Sequence, residues 1–290
     1  MSPPQPAYSA PFRSDALRDV ARVDALDNLT SEWAWGGSTG RGVKVAVIDS
    51  GIDADHPALG SRGVSGYVAI AASGDELVFD TKPHRDAVGH GTACAVIIRG
   101  LAPDCELYSV KVLGPGLGGR GKVFAAGIRW ALDNNIQVCN LSLGTSKPEL
   151  YGALHELADQ AYFRNVILVA AANNLPVPTF PAVYASVISV AASEGDDAEV
   201  FYYNPEPPVE FGAPGINLRV AWRDGGWLTA TGNSFAAPHI TGMVTRILGK
   251  HPSLTPFQVK VILRALSANV AGANHSSTPT SAASQTSQTP

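Results

Sequence analysis

The run "VKVAVID" (Val43–Asp49) is apolar apart from Lys44 and closes on an aspartate. Its length and β-branched content predict a strand buried on both faces. Similar runs recur at Glu106–Leu113, Gln137–Leu143, Val166–Ala172 and Val187–Ser193. Helical patterns separate them: His90–Ala102, Lys122–Asn135 and Glu149–Asn165. Further on, Ile240, Met243, Val244, Ile247 and Leu248 form an apolar stripe at helical spacing in "TGNSFAAPHITGMVTRIL" (Thr231–Leu248). Pro238 is expected in the first turn of that helix, where its missing N–H costs nothing. Thr255–Leu266 opens with a Thr-Pro start signal. All-apolar strands alternating with helices predict a mostly parallel central sheet between two helical layers, a three-layer α/β/α fold. In such folds the site lies beyond the carboxyl ends of the strands.

The bulk properties narrow the function. The chain has 290 residues, 45% of them hydrophobic and 16% charged, with a net charge of −4. That is enough for one large domain. No basic stripe points to nucleic acid, and no apolar run is long enough to cross a membrane as a helix. The N-terminus lacks a basic start followed by an apolar stretch, so a cytoplasmic location is expected. Cys94, Cys105 and Cys139 are too few and oddly numbered for a disulfide framework, which fits reduced thiols. They lack metal-site spacing, and neither a metal nor a cofactor is expected. Residues 1–40 read as an N-terminal extension with a lead-in helix, and 41–271 as the main domain. Residues 272–290 are rich in Ser, Thr and Gln and read as a disordered tail or linker.

Three polar residues fall at element ends on the expected ligand side. Asp49 closes the first strand, and its carboxylate needs donors there, which Ser50 and the following turn can supply. His90 opens a helix. Ser234 lies near the start of the helix behind Gly232. Each has an ordinary reading: a turn cap, a loop histidine and an N-cap. Together they are the set that activates a weak alcohol nucleophile. Asn173 and Asn174 end the strand in "ILVAAANNLP". An amide there can donate to an oxyanion, or the pair can simply make a turn.

The blocks "VAVIDSGIDADHP", "GHGTACA" and "GNSFAAPH", in that order, resemble the subtilisin-like serine proteases. "NLSLG" (Asn140–Gly144) and "VAAANN" are similar to the family's substrate strand and oxyanion segment, and the resemblance runs from about Gly42 to Leu266. It implies a serine endopeptidase acting on peptide or protein substrates through an acyl-enzyme. It assigns Asp49, His90 and Ser234 to a triad and Asn174 to the oxyanion. Ser142, Leu143 and Gly144 would line one side of the cleft, with Gly118 and Gly119 on the opposing edge. Thr179 falls near the floor of the first specificity pocket. A narrower version is a protease that processes one peptide precursor.

The chain departs from the family at several places. Asn233 precedes the serine where threonine is usual, and either replaces that hydroxyl or adds a second amide donor. Asn173 replaces a glycine and is expected to adopt the same turn, since asparagine tolerates positive φ. Cys94 follows Ala93 one helical turn behind His90. No calcium loop interrupts the histidine helix, Ala58 stands where an acid is common, and Asp53 and Asp55 read as solvated turn residues. The substitutions Asn173 and Asn233 motivate an alternative, a pseudoprotease that binds extended peptides without cutting them.

Overall fold

The structure, a computed structural model, describes residues 29–270 except 118 and 207. The expected disordered tail, and residues 1–28 of the expected extension, lie outside the described residues. Within 29–40 the lead-in helix is α1 (Ser31–Trp35), capped by Thr30.

The strand predicted from "VKVAVID" is β1 (Lys44–Asp49), and it lies at the centre of a nine-stranded sheet. The order is β3-β2-β4-β1-β5-β6-β7-β9-β8, with β2 (Gly66–Ser73), β3 (Glu76–Asp80), β4 (Glu106–Lys111), β5 (Val138–Leu141), β6 (Ile167–Ala171), β7 (Ile188–Ser193), β8 (Tyr202–Tyr203) and β9 (Phe211–Pro214). All pairings are parallel except those that attach the edge strands β3 and β8. β10 (Leu218–Ala221) and β11 (Trp227–Ala230) form a separate hairpin.

Alternation along the strands makes the two cores. Val45, Val47, Ile167 and Val169 pack with α2 (His90–Leu101) and α5 (Asn233–Lys250). Ala46, Ile48, Leu168 and Ala170 pack with α3 (Gly121–Asp133) and α4 (Tyr151–Phe163). Helices therefore cover both faces, giving the three-layer α/β/α architecture. Each fully buried Ile or Val contributes about 1.5–3 kcal/mol. The last helix, α6 (Pro256–Ala265), carries a capping box in which Thr255 and Gln258 bond reciprocally.

Four details depart from the sequence reading. The strand expected to reach Leu113 stops at Lys111, because Val112 and Leu113 turn their N–H groups to the Asp49 carbonyl (2.8 and 3.1 Å). The helix expected from Glu149 starts at Tyr151 after a 3-10 turn at Pro148–Leu150. Strands β2, β3 and β8–β11 were not signalled, being short, exposed or peripheral: β3 is exposed at four of five positions. Pro238 is the sixth residue of α5, inside the helix and beyond its first turn.

His239 follows that proline and is buried (7% exposed), and neither ring nitrogen has a well-formed hydrogen bond. Burial pushes its pKa down to about 4. A group held neutral in the fold stabilises it fully above its unfolded pKa of about 6.5, and that contribution disappears as pH falls towards 4. His90, whose pKa is raised, works in the opposite sense. The difference between variants isolates His239: His239→Leu should lose less unfolding free energy than the parent between pH 6.5 and 4, by up to about 3 kcal/mol in urea titrations. Parallel pH profiles would show that His239 does not titrate across folding.

Candidate active site

The β1 end fixes the first side chain. Asp49 is fully buried and accepts from the Ser50 N–H (2.7 Å) and from His90 Nδ1, with both carboxylate oxygens 2.9 Å away. A proton on Nδ1 leaves Nε2 as the free lone pair of a neutral ring. Burial works against a charge on His90, but the Asp49 carboxylate outweighs it, with help from Asp86, and the pKa stands above 6.5.

His90 reaches Asp49 because α2 starts hard against the β1 turn. A β-carbon on Gly91 would lie 2.1 Å from the Gly51 carbonyl oxygen, so only glycine permits this approach. Asp86, which the sequence reading missed, anchors the same turn. Its carboxylate accepts from Ser50 Oγ, Thr92 Oγ1 and the N–H groups of Val88, Gly89 and Thr92 at 2.7–2.9 Å. Burial opposes its charge, yet these donors hold its pKa below the usual value. An aspartate just before a helix start was the available signal.

Ser234 is the second residue of α5. It lines, with His90, Asn174, Thr179 and the Ser142–Gly144 segment, a cleft of about 360 Å³ beyond the strand ends. No hydrogen bond joins Ser234 Oγ to His90. A β-carbon on Gly232 would lie 3.3 Å from Ser234 Oγ and 3.6 Å from Asn174 Nδ2, so Gly232 keeps clear the space both groups face. Gly119 lines the opposite wall, while Gly118 lies outside the described residues.

The two asparagine substitutions resolve differently from the expectation. Asn233 spends its amide on the scaffold: Oδ1 accepts from Ala192 N–H (2.8 Å), and Nδ2 donates to the Asn173 and Ala172 carbonyls (2.8 and 3.3 Å). It neither points to the oxyanion region nor stands free. Its N–H donates to Asn174 Oδ1 (2.9 Å), which orients the Asn174 amide and leaves Nδ2 unengaged. Asn173 does not take a positive φ; its side chain accepts from Leu175 N–H (2.9 Å) and makes a turn of its own.

Pro238 has a consequence at Ser234. Lacking an N–H, it leaves the Ser234 carbonyl without its helical partner. Ser142 Oγ donates to that carbonyl (2.7 Å), and Cys94 Sγ adds a longer contact (3.6 Å). Ser142 Oγ is itself fixed by Asn140 Nδ2 (2.9 Å), and Asn140 Oδ1 accepts from Thr241 on α5 (2.9 Å). Cys94 is fully buried, and burial, with the Asp49 charge, pushes its thiol well above the usual pKa. Asp49, His90 and Cys94 are the one group among the described residues close enough to hold a metal ion. With a protonated thiol it is a poor ligand set. Asp53, expected to be solvated, is buried and accepts from Asp224 N–H (2.8 Å), whereas Asp55 is exposed beside Arg85.

The subtilase family model (peptidase S8) matches residues 40–284. The chain belongs to this family. It is 34% identical over 239 residues to subtilisin E of Bacillus subtilis (strain 168), covering 77% of this chain but 60% of that relative. Subtilisin of Bacillus pumilus is 34% identical over 77% of this chain and 83% of its own. Subtilisin Savinase of Lederbergia lenta is 32% identical over 82% and 88%. Among solved structures, a cold adapted subtilisin-like serine proteinase superposes with a TM-score of 0.65 at 26% identity, covering 83% of this chain and 90% of that one. The S41 psychrophilic protease gives 0.67 at 27%, covering 78% and 83%.

Two outcomes test the site. Ser142→Ala should strand a buried carbonyl and lower kcat about tenfold, at the scale of one lost buried bond, with KM nearly unchanged; Ser142→Thr, which keeps the hydroxyl, should restore most of it. Asp86→Asn removes a charge that raises the His90 pKa, so the acid limb of kcat/KM should move to lower pH. The limb is read independently of how much variant folds, and an unmoved limb would exclude the electrostatic role.

Proposed function

We propose that this chain is a serine endopeptidase that cleaves peptide and protein substrates through a covalent acyl-enzyme. The observation that carries this reading is the buried Asp49–His90 pair in one cleft with Ser234 at a helix N-terminus. Ser234 Oγ attacks the scissile carbonyl while His90 Nε2 takes its proton. The oxygen of the tetrahedral intermediate receives the Asn174 Nδ2 and Ser234 backbone N–H donors. The helix N-terminus adds partial positive charge. His90 then gives its proton to the leaving amine, the C–N bond breaks, and water hydrolyses the Ser234 ester by the same route in reverse. Asp49 orients the ring and stabilises its cation throughout.

The backbone supports an extended substrate. Thr145 pairs with Phe180, but the N–H and C=O groups of Leu143 and Gly144 have no partner among the described residues. A peptide can add there as a strand, with Gly119 opposite. Gly144 packs on Thr179 so closely that a β-carbon would lie 2.3 Å from Thr179 Cγ2, which keeps the wall of the first pocket flush. The three unpaired, buried cysteines support a reducing, intracellular setting, and there the narrower role of precursor processing is the one that spares other proteins. The binding-only reading loses its motive, since Asn233 and Asn173 brace the scaffold and leave the Asn174 amide available.

Ser234→Ala should reduce hydrolysis of a protein substrate by several orders of magnitude with an unchanged fold. Activity within tenfold of the parent would remove Ser234 from the mechanism. Asn174→Ala should lower kcat about 100- to 1000-fold, the loss typical of one oxyanion donor in a subtilisin, with little change in KM. A silent Asn174→Ala would place the oxyanion elsewhere.

A further inference from the structure

The charged residues around the cleft are all of one sign. Arg120 follows Gly119 on one wall, and Lys147 lies three residues past Gly144 on the other. Both are exposed, and neither side chain has an ion pair or hydrogen bond. Among the described residues, no aspartate or glutamate lines the cleft. A second groove of about 450 Å³ continues from it, sharing Val112, Leu113, Gly119 and Arg120. Its other charged residue is Lys111, whose Nζ donates to the Arg85 carbonyl (3.0 Å), a neutral partner.

Elsewhere the surface mixes cations: Lys122 and Lys250 donate to backbone carbonyls, Arg219 and Arg264 lie over aromatic rings, and others meet carboxylates. Arg41, Arg62, Arg85, Arg164, Arg223, Arg246 and Lys260 each lie within 4.0 Å of a carboxylate. The chain as a whole is acidic, at −4. Three cations without a carboxylate partner therefore gather at the substrate groove, with no acidic side chain among its described lining residues to offset them. Arg120 also occupies the N-cap of the thirteen-residue α3, so the helix end adds to the positive potential there.

We infer that Arg120, Lys147 and Lys111 select substrates with acidic side chains on the amino-terminal side of the cleaved bond, beyond the first pocket. The inference rests on the endopeptidase reading and specifies its substrate class. The placement follows from the walls. Ser142 touches the Ser234 carbonyl, so the path from Ser142 through Gly144 to Lys147 leads away from the nucleophile. A peptide added antiparallel to that edge runs towards Ser234 and so carries its third to fifth residues before the bond past Lys147 and Arg120. The groups are exposed, so each matched pair is worth only about two- to fivefold in kcat/KM. Several acidic positions are needed for strong selection. The attraction acts through water and falls with salt, since the screening length shrinks from about 10 Å at 0.1 M to about 3 Å at 1 M.

The test uses internally quenched peptides with a fixed apolar residue before the cleaved bond. Asp, Asn or Lys is placed at the third, fourth and fifth positions before it. The parent at low salt should favour Asp over Asn by about two- to fivefold at one or more of these positions and disfavour Lys. In 1 M NaCl the ratios should approach one. In Arg120→Gln/Lys147→Gln the Asp:Asn ratio should fall. Equal rates for Asp, Asn and Lys, a preference for Lys, or a preference for Asp that persists in both high salt and the double variant would overturn the inference. The salt arm decides even if the variant folds poorly. Hydrolysis of the Asn peptides that depends on Ser234 keeps the endopeptidase reading intact in those cases, whereas failure to cleave any peptide removes both.

Discussion

A carboxylate with no solvent exposure ends the central strand of this sheet, and the site is arranged around it. A carboxylate buried there needs donors around it. The Ser50 N–H is one, and His90 Nδ1 is the other. This one contact joins the strand to α2 and sets the imidazole tautomer. The close passage of Gly91 beneath Gly51, and the five bonds to Asp86, hold the contact in register. The same buried layer therefore supplies both folding stability and a prepared base.

On the Ser234 side, one helix carries most of the order. Gly232 leaves room at its start, Asn233 ties it to β7 and to the end of β6, and Ser234 faces the cleft. Pro238 breaks the helical ladder one turn later. The carbonyl it releases is taken by Ser142, which belongs to the segment that forms the substrate wall. Ser234 and the Ser142–Gly144 wall of the cleft are thus linked by a single short bond, and Thr241 and Asn140 close the loop back to α5. Gly242, also on α5, allows that helix to approach α2, since a β-carbon there would meet Leu101 at 2.7 Å.

Much of this was legible in the sequence, for a physical reason. Strands buried on both faces must be apolar throughout, so β1, β5, β6 and β7 stand out, and polar residues at their ends become conspicuous. Asp49, His90, Ser234 and Asn174 were singled out in that way; the last three line one cleft, and Asp49 bonds to His90 behind it. Residues whose work depends on distant partners were not legible. Asp53 looks like a solvated turn until Asp224 folds over it. Asn233 has the same side chain whether it faces an oxyanion or clamps two strands. Asp86 is one of several aspartates near turns, and only the fold shows that it collects five donors. Edge strands such as β3 carry no burial pattern at all. The selectivity inferred for the groove is likewise invisible in a chain of net negative charge, because it depends on where three cations end up.

The central claim is that the fold gathers Asp49, His90 and Ser234 into one working nucleophile. Intact-protein and peptide mass spectrometry after exposure to a fluorophosphonate probes this directly. The account predicts a single adduct, on Ser234, formed quickly by the parent and slowly when His90 is replaced by alanine. A chain that stays unlabelled, an adduct on another serine, or labelling of Ser234 at equal rates with and without His90 would contradict it.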